Sequence, residues 1–464
     1  MNKVVVFCVM LLIGSGCSLL IDLSECETAA DCDGGLRCES NICVGGETGT
    51  NNGTNNSNLV SVSENIGVDA TWKADKVYIL ENIITVGASA TLTIEPGTLI
   101  KAKPNSALVV RPGGRLNAEG TRKLPIVFTS FQNPGRRQPG DWGGIAILGK
   151  APVNRDNFAL RVFDEETLRP VFGGDISSWN CGIIQYVRIE FGGGPVEGAE
   201  ALNGLIVGGC GTETVVNHLQ IHASADDGFE IFGGTFDFRH VVLTRNGDDS
   251  IDIDTGWTGT GQFLAVQQDA SGETGMEVDN LSEDPTKTPL TDFRIYNYTL
   301  IGTGAQGASR GFTFKAGAGG FLSHGIIMGM SQGGLDVIGS AAGARALDDQ
   351  IVVENSLWFD IGAQGSSYFP KSSDPSESDP ETGDNGFDEN TYFRQEALGN
   401  RFGDDPKIPN VNNLEAPGWV PASAPAVTGV APPPTGFDPT AVYLGAFVPG
   451  ADPWTEDWTA YPPN

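Results

Sequence analysis

From about Val60 onward the chain alternates apolar and polar residues in short bursts, each broken by Gly, Pro or Asn. Examples are Ala90-Thr91-Leu92-Thr93-Ile94-Glu95-Pro96-Gly97, Leu108-Val109-Val110-Arg111-Pro112-Gly113-Gly114 and Ile126-Val127-Phe128-Thr129. A period of two predicts half-buried strands, here of three to five residues. They recur every 16 to 22 residues, which suits a solenoid better than a sandwich, whose turns come about every 8 to 12 residues. An internal repeat sharpens this. His218 to Ile231 overlays His240 to Ile253 at a shift of 22, matching Asp226-Asp227 with Asp248-Asp249 and Gly234 with Gly256. Further copies read Gly275-Met276-Glu277-Val278-Asp279, Gly311-Phe312-Thr313-Phe314-Lys315 and Gly334-Leu335-Asp336-Val337-Ile338. One such unit cannot cover its own apolar side, so copies must stack. The alternation turns Phe229, Ile231, Ile251, Ile253, Met276, Val278, Phe312, Phe314, Leu335 and Val337 inward. The expectation is an all-β chain, a parallel β-helix over residues 60–430.

The flanks read differently. Residues 1–16 have the order of a secretory signal, with an uncharged run from Val4 to Ile13 that is too short to span about 30 Å of hydrocarbon. Gly14-Ser15-Gly16-Cys17 resembles a lipobox, which implies lipid on Cys17 and, with Ser18 next, sorting to the bacterial outer membrane. Ile13 stands one step early for that motif, and ordinary cleavage near Gly16 is the alternative. Residues 17–44 hold Cys26, Cys32, Cys38 and Cys43, close enough for two disulfides stapling a small module, with three pairings open. Residues 45–59, rich in Gly and Asn, form a linker. Cys181 and Cys210 either pair across neighbouring coils or stay as buried thiols. Residues 364–410, acidic around Ser372 to Pro380, interrupt the repeat as a surface insertion. Trp419 to Ala426 and Pro432-Pro433-Pro434 read as an irregular cap, with residues 431–464 as C-terminal cap and tail.

Composition adds two constraints. The 63 glycines and 27 prolines agree with many turns. A formal net charge of -30, from 28 basic against 58 acidic residues, repels nucleic acid and favours cations, cationic surfaces or neutral glycans as partners.

Ala90 to Ala102, Asp141-Trp142-Gly143-Gly144-Ile145, Asp226 to Gly234, Asp248 to Trp257 and Tyr443-Leu444-Gly445-Ala446-Phe447 with Trp454 and Trp458 resemble secreted or lipid-anchored bacterial β-helix proteins. The resemblance implies a right-handed, pectin-lyase-like fold over roughly residues 60–464 and no settled activity. The cysteine module lies outside it.

Candidate chemistry is a ladder of acids. If the copies stack in register, Glu230, Asp252, Glu277 and Asp336 point outward at one position of successive coils, with Thr313 among them. Coils are about 4.8 Å apart, so bare carboxylates repel by about 1 kcal/mol per pair in water and more where solvent is excluded. Ca²⁺ bridging Glu230, Asp252 and Glu277 relieves this. Raised pKa values, which supply an acid and a base, are a second relief. A solvated face with Arg310 and Lys315 as counter-charges is the third. Asp227-Gly228 followed by Gly247-Asp248-Asp249 resembles polygalacturonases, and that match implies Asp248 as general acid with Asp227 and Asp249 holding water. The match stops there: Gly272-Glu273-Thr274 stands where that family has Gly-His-Gly, and no Arg-Ile-Lys follows. Asp-Gly and Asn-Gly-Asp also make coil corners. His218, His222, His240 and His324 fall mostly at equivalent strand starts, which favours stacking over metal ligation. Trp142, Trp257, Trp454 and Trp458 read as buried cap residues before sugar platforms. Three functions follow as expectations: an envelope lipoprotein presenting a rigid acidic face to glycans or other surface components, a polysaccharide hydrolase or lyase, and an adhesive spacer.

Overall fold

The computed structural model describes residues 37–39, 42–44, 58–196, 201–304, 307, 309–369 and 384–464. The chain divides into two units, 1–50 and 51–464. In the first, Arg37–Glu39 pairs antiparallel with Ile42–Val44, setting Cys38 opposite Cys43 in the backbone register. The signal segment, Cys17, Cys26, Cys32 and most of the linker lie outside the described residues, as does 370–383.

The second unit is built from the alternation. Its first face is a nine-stranded parallel sheet running Ile83–Val86, Ala107–Val110, Ile145–Leu148, Leu205–Gly208, Phe229–Phe232, Ile251–Asp254, Thr274–Val278, Arg310–Phe314 and Gly333–Val337. Every inward residue expected from the repeat is buried, from Phe229 through Val337. A 17-stranded sheet supplies the other faces. Early coils use two strands there, Arg115–Glu119 and Ile126–Ser130, and both pair with one long strand, Gly182–Glu190. The following coils keep that long form, as in Val215–His222 and Asp292–Ile301. These exceed the three to five residues that alternation predicts, because one left-handed residue turns the corner without ending the ladder. Those residues are Tyr186, His218, His240, Phe263 and Asn297, with φ of 48°, 56°, 55°, 64° and 55°. The register skips each of them. For non-glycine residues this conformation costs on the order of 1 kcal/mol. Stacking offsets it: ring centroids are 4.2 Å apart for Tyr186 and His218, 4.3 Å for His218 and His240, and 4.8 Å for His240 and Phe263. Stacking is thus what the repeated histidines do.

Cys181 and Cys210 are joined in a disulfide. Trp142, Trp257 and Trp458 are buried and Trp454 is half-buried.

The expected surface insertion at 364–410 and the expected cap at 431–464 both need correction. Residues 384–402 are not a surface excursion: Phe387 and Phe393 join the main core, and Arg401–Phe402 adds a short strand to Leu357–Phe359. This segment, with the helix Ser340–Leu347, covers the last coil. Residues 404–464 form no strand and do not cap that end. They run back along the third face, where Trp419, Val427, Leu444 and Phe447 cover Val242, Ala265, Ile301, Ile326 and Leu357. Without a ladder of its own, the tail satisfies its backbone through side chains of the coils. Gln220 exchanges both bonds with Ala460, Asn297 donates to Tyr443, and His222 and His324 meet the carbonyls of Pro462 and Ala431. Among the described residues no helix is long and apolar enough to cross a membrane.

Candidate functional site

The outer surface of the first face changes character partway along. Register places Val109, Ala146, Ile206, Glu230, Asp252, Glu277, Thr313 and Asp336 in one outward column. Its apolar start must be covered, and the loop after Ala151 does so: Leu160, Val162 and Phe172, with Leu202, pack on Val109, Ala146 and Ile206. The cover ends where the acids begin. There a cavity of about 540 Å³ opens, lined by Arg155, Phe158, Arg161, Arg169, Asn203, Asp226, Asp227, Glu230 and Phe232.

The acid column divides into two halves. Farther along, Lys315 pairs with Glu277 and lies 3.7 Å from Asp279, while Arg310 is 3.4 Å from Asp336. These are the counter-charges expected from sequence. At the cavity the acids are grouped differently: carboxylate oxygens of Asp227, Glu230 and Asp252 lie within 4.8 Å of one another, and Asp227 also stands within that distance of Asp226 and Asp248. Asp227, rather than Glu277, completes the set with Glu230 and Asp252. Asp227 and Glu230 are 8% and 9% exposed, so solvent does little to separate the charges. Among the described residues none of Asp227, Glu230 and Asp252 forms an ion pair. Asn203 supplies relief to the first two, its Nδ2 donating to Asp227 Oδ2 at 3.0 Å and to Glu230 Oε2. Asp252 Oδ1 is buried with no partner, and so is the hydroxyl of Thr313.

Burial pushes the carboxyls of Asp227, Glu230 and Asp252 well above their usual range, and the neighbouring carboxylates push the same way. Burial also raises Asp249 to about 7, Asp254 to about 6 and Asp279 to about 8. The site therefore holds protons or calls for a cation.

The aspartates of the polygalacturonase-like match occupy coil corners. Asp227 Oδ1 accepts from Asp249 N at 3.0 Å, and Asp249 Oδ1 accepts from Thr274 N at 2.9 Å. Asp248 alone of the three is exposed. This is the turn-capping arrangement of short acids, although Asp227 also lines the cavity.

Asn203 escaped sequence reading, yet a signal existed. It stands two residues before Leu205, the first inward residue of its strand, as Asp227, Asp249 and Thr274 stand before Phe229, Ile251 and Met276 in the next coils. Asp254 and Asp279, two residues beyond the main column, were legible in the same way. Arg155, Phe158, Arg161 and Arg169 were not, because their loop carries no repeat.

This stack of parallel strands with a site on one outer face defines the chain as a parallel β-helix protein. It belongs to the pectate-lyase-like family: the family model described as a pectate-lyase like beta helix domain matches residues 64–391. Neither the curated proteins nor the solved structures contain a significant match.

Proposed function

We propose that the chain is a glycan-binding protein of the bacterial envelope, tethered by lipid on Cys17, that receives saccharide in the cavity at the head of its acid column. The carrying observation is that cavity. Its volume of about 540 Å³ falls within the range of small-ligand sites, about 300–1,000 Å³. It also combines Phe158 and Phe232 with hydrogen-bonding Asn203, Asp226, Asp227 and Glu230, the mixture of apolar ring and polar groups that a pyranose requires. Membership of a pectate-lyase-like family supports the carbohydrate class. Binding of a panel of neutral, acidic and amino oligosaccharides, followed calorimetrically, tests the reading. Saturable binding that Phe158→Ala and Asn203→Ala weaken supports it; no binding across the panel removes it and leaves a spacer.

The acid floor needs a counter-charge. Ca²⁺ on Asp227, Glu230 and Asp252 is one source, and it takes six to eight oxygens at about 2.3–2.6 Å. The fit is incomplete, since Asn203 turns a donor, not an oxygen, toward the carboxylates. A stoichiometric heat on adding Ca²⁺ to chelator-treated protein, lost in Asp252→Asn, favours calcium.

One observation favours a hydrolase as second reading: Asp227 and Glu230 are adjacent in the cavity and burial raises their carboxyls well above the usual range, the direction a general acid requires. Release of reducing ends by wild type but not by Glu230→Gln supports it, and equal rates oppose it.

A further inference from the structure

We propose that the cavity recognises a saccharide bearing a free, protonated amine, a 2-amino-2-deoxyhexose unit within a glycan, and seats the ammonium against Asp227 and Glu230, which line it, with Asp252 beside them. This rests on the glycan reading above and names the ligand class for the same cavity.

The first argument compares the two halves of one column. Glu277 and Asp336 belong to the same outward row as Glu230 and Asp252, and each of those two has a basic partner from within the chain. The cavity acids have none among the described residues, although basic side chains are near. Arg155 pairs with Glu283 at 2.9 Å and lies over the Phe158 ring, 4.8 Å from its centroid. Arg169 donates to the carbonyls of Phe163 and Asp164 within its own loop. Arg155 and Arg169 are thus committed to the rim, and the floor carboxyls have no basic partner among the described residues. A ligand cation completes the floor.

The second argument concerns which cation fits. Asn203 Nδ2 is an N–H donor placed to reach both Asp227 and Glu230, and the other oxygen of Asp227 accepts from the Asp249 amide. Asp252 Oδ1 is an acceptor with no donor. An ammonium brings three N–H donors in a fixed tetrahedral fan. With N⁺–H···O⁻ bonds of about 2.7–2.9 Å, one nitrogen reaches acceptors up to roughly 5 Å apart. The three oxygens here lie within 4.8 Å of one another. Ca²⁺ would need several more oxygens and a reversed amide at Asn203, and a carboxylate sugar would meet like charge on the floor. The rest of the ligand has a place as well: Phe158 and Phe232 stand edge to face at 4.8 Å beside the floor, offering an apolar surface to a ring while the amine points down. The formal net charge of -30 draws cationic glycans toward the surface in the same sense.

The test uses the full chain with Cys17→Ser, which removes the proposed lipid attachment. Glucosamine tetramer, N-acetylglucosamine tetramer, galacturonate tetramer, spermidine and Ca²⁺ alone are titrated by calorimetry at low salt. The expected result is binding of the glucosamine tetramer at least tenfold tighter than its N-acetylated counterpart. Glu230→Gln and Asp252→Asn, which keep shape, should weaken it at least tenfold with the fold retained and no loss of stability. Asp284→Asn, a surface change, should leave it intact. Equal affinity for both tetramers overturns the amine inference but keeps the glycan reading. Binding of the acetylated or uronate tetramer alone does the same. Tight Ca²⁺ binding that displaces the amino sugar assigns the floor to calcium and overturns the inference. Spermidine binding as tightly as the sugar shows charge without saccharide recognition and also overturns it. If Glu230→Gln unfolds, Asp252→Asn decides. No binding by any saccharide removes both readings.

Discussion

At the residue scale, the buried titratable groups face opposite ways. Burial lowers His222 and His218 to about 4 and His240 to about 3, below the value of about 6.5 they have in an unfolded chain. Each is neutral when folded, so the unfolded state binds more protons as pH falls below 6.5. Stability from these groups is complete above that pH and is lost toward pH 4. His222, fully buried, contributes on the order of 3 kcal/mol to that loss. Urea midpoints should therefore fall between pH 6.5 and 4, and His222→Gln should flatten the fall. The cavity acids behave the other way, since their folded form prefers the proton. At pH 7 without ligand, Glu230→Gln should stabilise the fold by about 1 kcal/mol, read as a higher urea midpoint at constant slope. A lower midpoint would mean that Glu230 holds the coil together instead of straining it. How far these residues were legible depended on the repeat. Glu230, Asp252 and Asp227 could be placed on neighbouring coils from a shift of 22 alone. That Asp227 replaces Glu277 in the cluster could not, because it depends on Lys315 turning toward Glu277.

At the scale of elements, the tail and the disulfide carry the predictions. Residues 404–464 cover an apolar outer face that includes Val242, Ala265, Ile301, Ile326 and Leu357. Truncation after Gly403 should expose that face, giving strong binding of a hydrophobic dye and loss of solubility with the strand content retained. A truncated chain that stays monomeric and dye-silent would show that the face tolerates water. The bond between Cys181 and Cys210 closes a loop of 29 residues, which on chain entropy alone stabilises by roughly 3–4 kcal/mol. Both sulfurs are buried, so reduction should require prior denaturant, and Cys181→Ala with Cys210→Ala should lower the urea midpoint accordingly. Sequence pattern anticipated the inward and outward residues of every repeat strand. It misplaced the tail, because Trp419, Pro432 to Pro434 and Trp454 have no periodicity. Their position follows from backbone bonds to side chains 107 to 240 residues away, such as those of His324 and Gln220.

For the whole molecule, an acid-lined cavity on the β-helix and a net charge of -30 would make the proposed association electrostatic as well as specific. If the cavity takes an amine, affinity should fall with rising salt, because the long-range attraction of the negative surface is screened even where the buried contacts are not. Binding of an uncharged saccharide should barely change. The proposed tether belongs to the same scale. Cys17→Ala should abolish incorporation of labelled fatty acid and move the protein from the membrane fraction to the soluble one. Unchanged membrane recovery would refute the lipid anchor.

The β-helix itself was written in the sequence. A repeat of 22 residues with a period of two inside it leaves stacking as the only way to bury its apolar side, and that argument needs no coordinates. The same repeat put the acids in one column. Tertiary structure alone decided which of those acids matter. Charge compensation depends on where Lys315 and Arg310 reach, and the cavity depends on a loop from Arg155 to Arg169 that packs on the outer face without any pattern of its own. Repeats encode what recurs from coil to coil, whereas the cavity arises at the one place where the covering loop stops and the bare acids start.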